Sequence, residues 1–116
     1  MQGRKIERIR EFDRELKKLS KKHHGLTKKV EDTLDKLAAD SIPDGDQLSG
    51  FDEHPLFKIR CGTGTIGKRK GARIIYYKDD SGLGPLIIFL KNMKTDAMRK
   101  EITKRLMYYL QLRSDS

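Results

Sequence analysis

The chain has 116 residues, which fits a single domain over residues 1–116, and 26 Lys and Arg against 17 Asp and Glu give it a net charge of +9. Its single cysteine, Cys61, excludes an internal disulfide and a cysteine metal cluster. The longest apolar run, Pro85 to Leu90, is too short to cross a bilayer. With no recognisable secretion signal, we expect a cytoplasmic protein without a metal or small-molecule cofactor.

Two amphipathic helices are predicted in the first third of the chain. Apolar side chains recur every three or four positions from Ile6 to Leu19, and again from Leu26 to Leu37. Basic residues and a glycine end the first stripe, and a turn-forming segment around Pro43 ends the second. We expect the two helices to pack as an antiparallel hairpin.

After an acidic loop that ends at Pro55, the spacing of apolar residues changes from every third or fourth position to every second position. Residues 56–61 alternate, with Lys58 and Arg60 on one face and apolar side chains on the other. A glycine- and lysine-rich connection then leads to a second predicted strand at residues 72–78. A turn and a third, nearly all-apolar strand at residues 85–91 follow. We expect this third strand to be central and buried on both faces.

A last helix is predicted after a polar segment, with Met98, Ile102, Leu106 and Leu110 on its buried side. The order of elements is helix, helix, strand, strand, strand, helix. We therefore predict an α+β domain with two N-terminal helices, a small antiparallel sheet of three to four strands and a C-terminal helix. The helices are expected to pack against one face of the sheet.

Positive charge is concentrated in the middle of the chain. Residues 1–40 hold 12 basic and eight acidic side chains, which a solvated face of mixed charge explains. Residues 41–57 hold four acids and no basic residue, whereas residues 58–78 hold seven basic residues and no acid. If the first two strands pair, a cluster of cations lies on neighbouring elements: Lys58, Arg60, Lys68, Lys70 and Arg73. A sheet face that tolerates such like charges is usually completed by an anion, so we predict phosphate binding.

The segment from Gly62 to Lys68 matches most of the phosphate-binding loop of nucleotide triphosphatases, G-x-x-x-x-G-K. Arg69 follows it, where that motif needs serine or threonine to hold magnesium. The segment also leads into a strand, whereas the motif needs a helix whose N-terminus faces the phosphate. We interpret it instead as a basic loop that touches RNA phosphates.

The remaining candidate side chains are better explained by packing. The neighbours His23 and His24 point in different directions at a helix end, which makes a poor metal site. Cys61 alternates onto the apolar face of its strand. Tyr76 and Tyr77 straddle the two faces of a strand, so one of them is expected to stack on a base while the other lies in the core.

The ordered set LFKIR, GKRKGARIIYY and LIIFLKNMKTD resembles the RelE/ParE toxin family, especially its RelE-like and HigB-like ribonuclease branch. The resemblance covers nearly the whole chain. It implies a microbial-ribonuclease-like sheet whose concave face holds messenger RNA. It also implies a toxin of a type II toxin–antitoxin system, a metal-independent endoribonuclease that enters the 70S ribosome and cuts the codon in the A site. A cognate antitoxin protein silences such a toxin.

The resemblance further implies roles for particular residues. The expected catalytic set is Lys58, Arg60, Arg73 and Lys91. The expected RNA-binding set is Lys68, Arg69, Lys70, Asn92, Lys94 and Tyr77. Attack of a 2′-hydroxyl on the adjacent phosphate needs a base, an acid and cations for the developing charge. Lys58 is the hypothetical base, the two arginines contact the phosphate, and Lys91 or Lys94 is the hypothetical acid.

Two other functions stay open. Some RelE relatives carry a catalytic tyrosine near the start of the last helix, where this chain has Met98, which cannot transfer protons. Relatives on the ParE side poison DNA gyrase and do not cut RNA, although they generally lack the dense basic set on the strands. The other alternative is a non-catalytic basic domain that only binds RNA or an acidic protein.

Overall fold

The computed structural model describes residues 3–62, 71–90 and 94–115. The helices are α1 (Arg10–Ser20), α2 (Leu26–Ala38) and α3 (Arg99–Asp115). The strands are β1 (Lys5–Ile6), β2 (Asp46–Gln47), β3 (Leu56–Cys61), β4 (Ala72–Lys78) and β5 (Gly82–Leu90). A 3-10 turn over Thr95–Met98 leads directly into α3. The domain is therefore α+β, and none of the described helices is long and apolar enough to cross a membrane.

The first helix is shorter than predicted because the residues before it form a strand. Ile9 is extended, with φ −84° and ψ 157°, so α1 begins only at Arg10. Lys5 and Ile6 form β1, which pairs in parallel with the start of β5. The spacing from Ile6 to Ile9 fits a helix, but strand pairing at the edge of the sheet decides the conformation here.

The sheet has five strands in the order β1-β5-β4-β3-β2. Neighbouring strands are antiparallel except β1, which runs parallel to β5, so the sheet is mixed. This finding corrects the expectation of an antiparallel sheet of three to four strands. The two additional strands contain only two residues each, which is too short to show an alternating pattern in the sequence.

The core is built on β4 and β5. Every residue of β4 is buried, as is every residue of β5 except the last. This confirms that the third predicted strand is buried on both faces. The strand order makes β4 the central strand, however, which corrects the expectation that the third predicted strand, β5, is central. Phe12 of α1 and Leu26 and Val30 of α2 are fully buried in the same apolar cluster. The apolar stripes of the two helices therefore pack into this core, as their periodicity predicts.

The helices lie on both faces of the sheet, which corrects the expectation of a single covered face. Cys61 Sγ lies 3.7 Å from Oγ1 of Thr33 in α2, so α2 covers that face. By the register of β3 and β4, Tyr77 points to the opposite face. Its ring centroid lies 5.4 Å from that of Tyr109 in α3. A Cβ on Gly84 would lie only 2.4 Å from the Tyr109 ring, so α3 packs directly on this part of the strand.

The buried side of α3 differs by one position from the prediction. Ile102 and Leu106 are buried as their spacing predicts, but Leu110 is only half-buried. Tyr109 takes the buried position instead, with 1% of its surface exposed. The ring fits there because Gly84 has no side chain, a match between two distant residues that the helical period alone does not show.

An ion pair between α1 and α3 covers the free edge of β5. Because β1 pairs only with the start of β5, the rest of that edge has no neighbour among the described strands. Arg105 donates to the carbonyl oxygen of Leu86 (2.9 Å) and to both carboxylate oxygens of Glu15 (2.7 and 2.9 Å). The amide of Ile88 donates to Glu15 (3.4 Å), and Glu101 accepts from Nε of Arg105 (2.8 Å). The pair thus satisfies backbone groups that an open edge would expose.

Asp79 ties the end of α3 to the turn between β4 and β5. Its carboxylate accepts hydrogen bonds from the Tyr77 hydroxyl (2.8 Å) and from the amides of Ser81 and Gly82 (both 3.0 Å). It also pairs with Arg113 at 2.7 Å. Burial alone would raise the pKa of Asp79, but these hydrogen bonds together hold its pKa well below the ordinary value of 3.8.

Replacing Asp79 with asparagine should make the protein less sensitive to acid. The pKa of Asp79 is lower in the folded state, so its stabilising contribution is complete above the unfolded value of about 4 and is lost as the pH falls below it. We expect Asp79→Asn to be less stable than the wild type near neutral pH and to lose less stability in acid. Urea unfolding at a series of pH values measures both effects.

The control for this prediction is Asp80→Asn, which makes the same change in charge at an exposed neighbour. Asp80→Asn should keep the acid dependence of the wild type. If Asp79→Asn lost as much stability in acid as the wild type does, Asp79 would not be the group responsible.

Candidate functional site

Three cations share one face of the sheet, at the opposite end from Tyr77. Arg60 of β3 is directly opposite Arg73 of β4, and Lys58 is opposite Ile75. Residues opposite each other share a face, and Lys58 and Arg60 are two positions apart, so the three side chains point to the same side. We call Lys58, Arg60 and Arg73 the basic face. The structure therefore brings together the first three members of the expected catalytic set.

Arg73 is the most enclosed of the three, with 7% of its surface exposed. Its Nη1 donates to the carbonyl oxygens of Gly71 (3.1 Å) and Ala72 (3.4 Å). Burial, and after it the charge of Arg60, lowers the pKa of Arg73 from its ordinary value. Arginine nevertheless stays charged in proteins, so this is a fixed and partly desolvated cation. Its attraction for an anion is stronger here than it would be in water.

Lys58 is half-buried and contacts a residue outside the predicted site. Its Nζ donates to Oγ1 of Thr95 (3.3 Å) at the start of the 3-10 turn. Lys94, which immediately precedes Thr95, is exposed. The 3-10 turn therefore borders the basic face, a placement that the sequence did not indicate because Lys58 and Thr95 are 37 positions apart.

Asp46 brings a carboxylate to the border of the basic face. It lies opposite Lys58 in the register of β2 and β3, so the two side chains share a face. It is the only acidic residue in the described strands. Asp46 was not predicted as a site residue because residues 41–57 resemble an acidic loop, and a strand of two residues shows no periodic pattern.

The basic face places like charges opposite each other on two paired strands. Arg60 is exposed and Arg73 is its direct cross-strand neighbour, and like charges in this position destabilise a strand pair. A bound anion relieves the repulsion. The planar fork of an arginine donates two parallel hydrogen bonds to phosphate oxygens, and such charge-assisted bonds are strong. Phosphate is therefore the kind of anion that suits these two residue types.

Several predicted site residues lie outside the described residues, so nothing tests their roles. They are Lys68, Arg69, Lys70, Lys91 and Asn92. Their contacts with RNA, and the role of Lys91 as the acid, stay predictions. Of the two candidate acids, Lys94 is the one that lies within the described part of the chain.

Tyr77 is enclosed in the protein, which corrects the expectation that it binds RNA. It is 7% exposed, its ring packs against Tyr109, and its hydroxyl donates to Asp79. Tyr76 is fully buried, and its hydroxyl donates to Asp44 (3.0 Å). Neither tyrosine therefore offers a free ring to a base, because α3 covers one and the segment after α2 covers the other.

Met98 ends the 3-10 turn and is 7% exposed within the apolar core. The next residue, Arg99, reaches the loop before β3. Its Nη1 donates to the carbonyl oxygen of Gly50 (2.9 Å), and its guanidinium lies 4.7 Å from the centre of the Phe51 ring. Arg99 thus holds this loop against the start of α3. The contact of Arg99 with this loop was not predicted, because cation–aromatic pairs between distant segments leave no local pattern in the sequence.

A metal site is not found in residues 3–62, 71–90 and 94–115, where no three His, Cys, Asp or Glu side chains are grouped to hold an ion. His23 and His24 lie in the turn between α1 and α2. Cys61 is buried and faces α2. Cys61 thus occupies the core position that the alternation of its strand suggested, whereas His24 is exposed in the turn.

Comparisons with known proteins assign no family. A scan against protein-family models finds no match to this chain, and a search of curated proteins finds none either. The functional interpretation therefore depends on the residues of the basic face and on the chemistry that they can perform.

Proposed function

We propose that the chain is a toxin of the RelE/ParE type that cuts messenger RNA in the A site of the 70S ribosome. The observation that carries the proposal is the direct opposition of Arg60 and Arg73, with Lys58 on the same face. Two fork-shaped cations side by side match a phosphate group, and a third basic residue stands beside them for proton transfer. A RelE-type fold with a microbial-ribonuclease-like sheet is part of this proposal.

The proposed reaction begins at the 2′-hydroxyl of the RNA. A base takes its proton, the oxygen attacks the adjacent phosphorus, and the bond from phosphorus to the 5′-oxygen breaks as an acid gives that oxygen a proton. Lys58 is the proposed base, and Thr95 positions its amine through their hydrogen bond. Asp46, opposite Lys58 in the sheet, offers a carboxylate that can accept the same proton.

The remaining roles concern charge and the leaving group. Arg60 and Arg73 stabilise the negative charge that develops on the phosphate oxygens in the transition state. Lys91 or Lys94 supplies the proton to the 5′-oxygen. In this scheme side chains move every proton, so the proposed ribonuclease works without a metal ion.

A cognate antitoxin protein is the proposed partner. A chain with a net charge of +9 attracts acidic proteins, and complementary charge speeds their association. Such antitoxins lay an extended or helical segment across the toxin surface. The proposed place of action is the cytoplasm, where the ribosomes are.

The proposal is tested by cleavage of a labelled messenger in the presence of programmed ribosomes. Purified protein should produce cuts confined to the codon in the A site, and no cuts when ribosomes are left out. An intact messenger, obtained with protein whose circular dichroism shows that it is folded, would contradict the proposal.

Inhibition of DNA gyrase is the second candidate, and the buried Met98 favours it. A methionine cannot transfer protons, and at this position it packs in the core. A supercoiling assay distinguishes the candidates, because a gyrase inhibitor would block supercoiling and leave the messenger intact. Binding of RNA or of an acidic protein without either effect would indicate a non-catalytic basic domain.

A further inference from the structure

The outer side of α1 carries a second set of cations, separate from the basic face. The set consists of Arg10, Arg14, Lys17, Lys18 and Lys21, all of them exposed. Their intervals of three and four residues place them on one side of the helix, opposite the buried Phe12 and Leu16. We call these five residues the α1 stripe.

The acids of α1 do not neutralise the α1 stripe. Of the three acids of α1, Asp13 pairs with Arg8 and Glu15 pairs with Arg105, both at 2.7 Å. The third, Glu11, forms no ion pair with a described residue, and one of its carboxylate oxygens is buried. No member of the stripe forms an ion pair with an acid in the described part of the chain. The stripe is therefore a row of five positive charges that form no close ion pair with the described residues.

The neighbouring helix shows how a solvated surface of this protein is composed. The exposed charged residues of α2 are Lys28, Lys29, Glu31, Asp32, Asp35 and Lys36. Three positive and three negative charges are mixed there, so they sum to zero. Helices that only face water commonly mix their charges in this way. The one-sided charge of the α1 stripe therefore requires a different explanation.

We propose that the α1 stripe binds the phosphate backbone of double-stranded RNA. From Arg10 to Lys21 the stripe extends about 16 Å at the helical rise. A strand in a DNA duplex advances about 3.4 Å along the axis per phosphate, so a stripe of this length spans several phosphates of a duplex backbone. The choice of RNA over DNA rests on the proposed function, which brings the protein to the ribosome.

The composition of the stripe argues against a membrane or a protein as its partner. A helix that binds a membrane inserts its apolar side, but the apolar side of α1 is buried in the core. Protein interfaces are anchored by buried aromatic or large apolar side chains, and the stripe contains none. Charge without apolar contacts is typical of binding to a nucleic-acid backbone.

The α1 stripe and the basic face are different surfaces. The stripe belongs to α1, which packs beside α2, whereas Lys58, Arg60 and Arg73 point to the face of the sheet that α2 does not cover. The stripe and the basic face can therefore contact separate segments of RNA. The stripe holds the protein on structured RNA, and the basic face contacts the strand to be cut.

The test compares two variants of the full chain with the same loss of charge. Arg14→Gln/Lys17→Gln/Lys21→Gln removes three charges from the α1 stripe. Lys28→Gln/Lys29→Gln/Lys36→Gln removes three from α2 and leaves the stripe intact. Fluorescence anisotropy with a labelled RNA duplex, measured over a range of salt concentrations, gives the slope of log K against log salt. We expect the slope to decrease by about 2 to 3 in the stripe variant and to change little in the α2 variant.

Several outcomes would overturn the inference. An equal loss in both variants would mean that only net charge matters, and an unchanged slope in the stripe variant would mean that the stripe makes no contact. A loss confined to a DNA duplex, or tighter binding to vesicles of anionic lipid than to RNA, would assign the stripe to another partner. Lys58→Ala/Arg73→Ala should keep the contribution of the stripe. A wild type that binds the duplex through the stripe but leaves the messenger intact would therefore contradict only the proposed function.

Discussion

Cleavage of the messenger on programmed ribosomes should fall about 10³-fold or more when Lys58 and Arg73 are both replaced by alanine. Arg73 is a partly desolvated cation, and removing a preorganised charge of this kind is costly because water cannot replace it at the same place. The loss of Lys58 removes the proposed base. The two effects are not additive, since both residues act on the same step.

The matched control for this double variant is Lys28→Ala/Lys36→Ala, which removes two exposed lysines from α2. It should cleave like the wild type. Arg73→Lys keeps the positive charge but loses the planar guanidinium group. We expect it to retain only part of the wild-type activity. Thermal unfolding of every variant separates lost chemistry from lost structure. Full activity in a folded Lys58→Ala/Arg73→Ala protein would remove the basic face from the mechanism.

Replacing Arg105 with alanine should lower the free energy of unfolding by about 3 kcal/mol. Burial alone would lower the pKa of Arg105, but the carboxylates of Glu15 and Glu101 raise it, because they stabilise the charged form. The alanine variant leaves Glu15 without its cation and the carbonyl oxygen of Leu86 without its donor. Both groups are then left at the edge of β5, where no described strand replaces the lost partner.

Urea unfolding measures this loss, and Lys104→Ala is its control, because it removes an exposed cation from the preceding position of the same helix. The control should change stability by less than about 0.5 kcal/mol. Light scattering provides a second measurement, since an uncovered strand edge pairs with other chains, and Arg105→Ala should aggregate more than the control. A loss no larger than that of an ordinary surface ion pair, about 1 kcal/mol or less, would show that the pair does not stabilise this edge.

The predicted parts of the fold are those that local periodicity encodes. The apolar pattern from Leu26 to Leu37 predicts α2 correctly. The alternation of residues 56–61 predicts β3, with Lys58 and Arg60 on one face. A helix or strand of several turns or pleats repeats its buried side often enough to be recognised. β1 and β2 have two residues each, so each shows less than one full repeat.

The candidate site was predictable only in part, because its residues come from different strands. The alternation of β3 places Lys58 and Arg60 together, but the pairing of Arg60 with Arg73 depends on the register of two strands. Asp46 also lies at the site only because β2 pairs with β3. Tyr77 was a candidate to stack on RNA because the two faces of its strand look alike in the sequence. The sequence does not indicate which of these faces a helix covers.

By itself, the sequence determined the helices α1 and α2, the strands β3 to β5 and the concentration of positive charge between residues 58 and 78, because each of these depends on residues that are neighbours along the chain. Only the tertiary structure decided which charges are neutralised. Glu15 and Arg105 are 90 positions apart and pair at the edge of β5, whereas the cations of the α1 stripe find no such partner among the described residues. Charges interact through space, so their partners follow from the packing of the elements and not from their order in the chain.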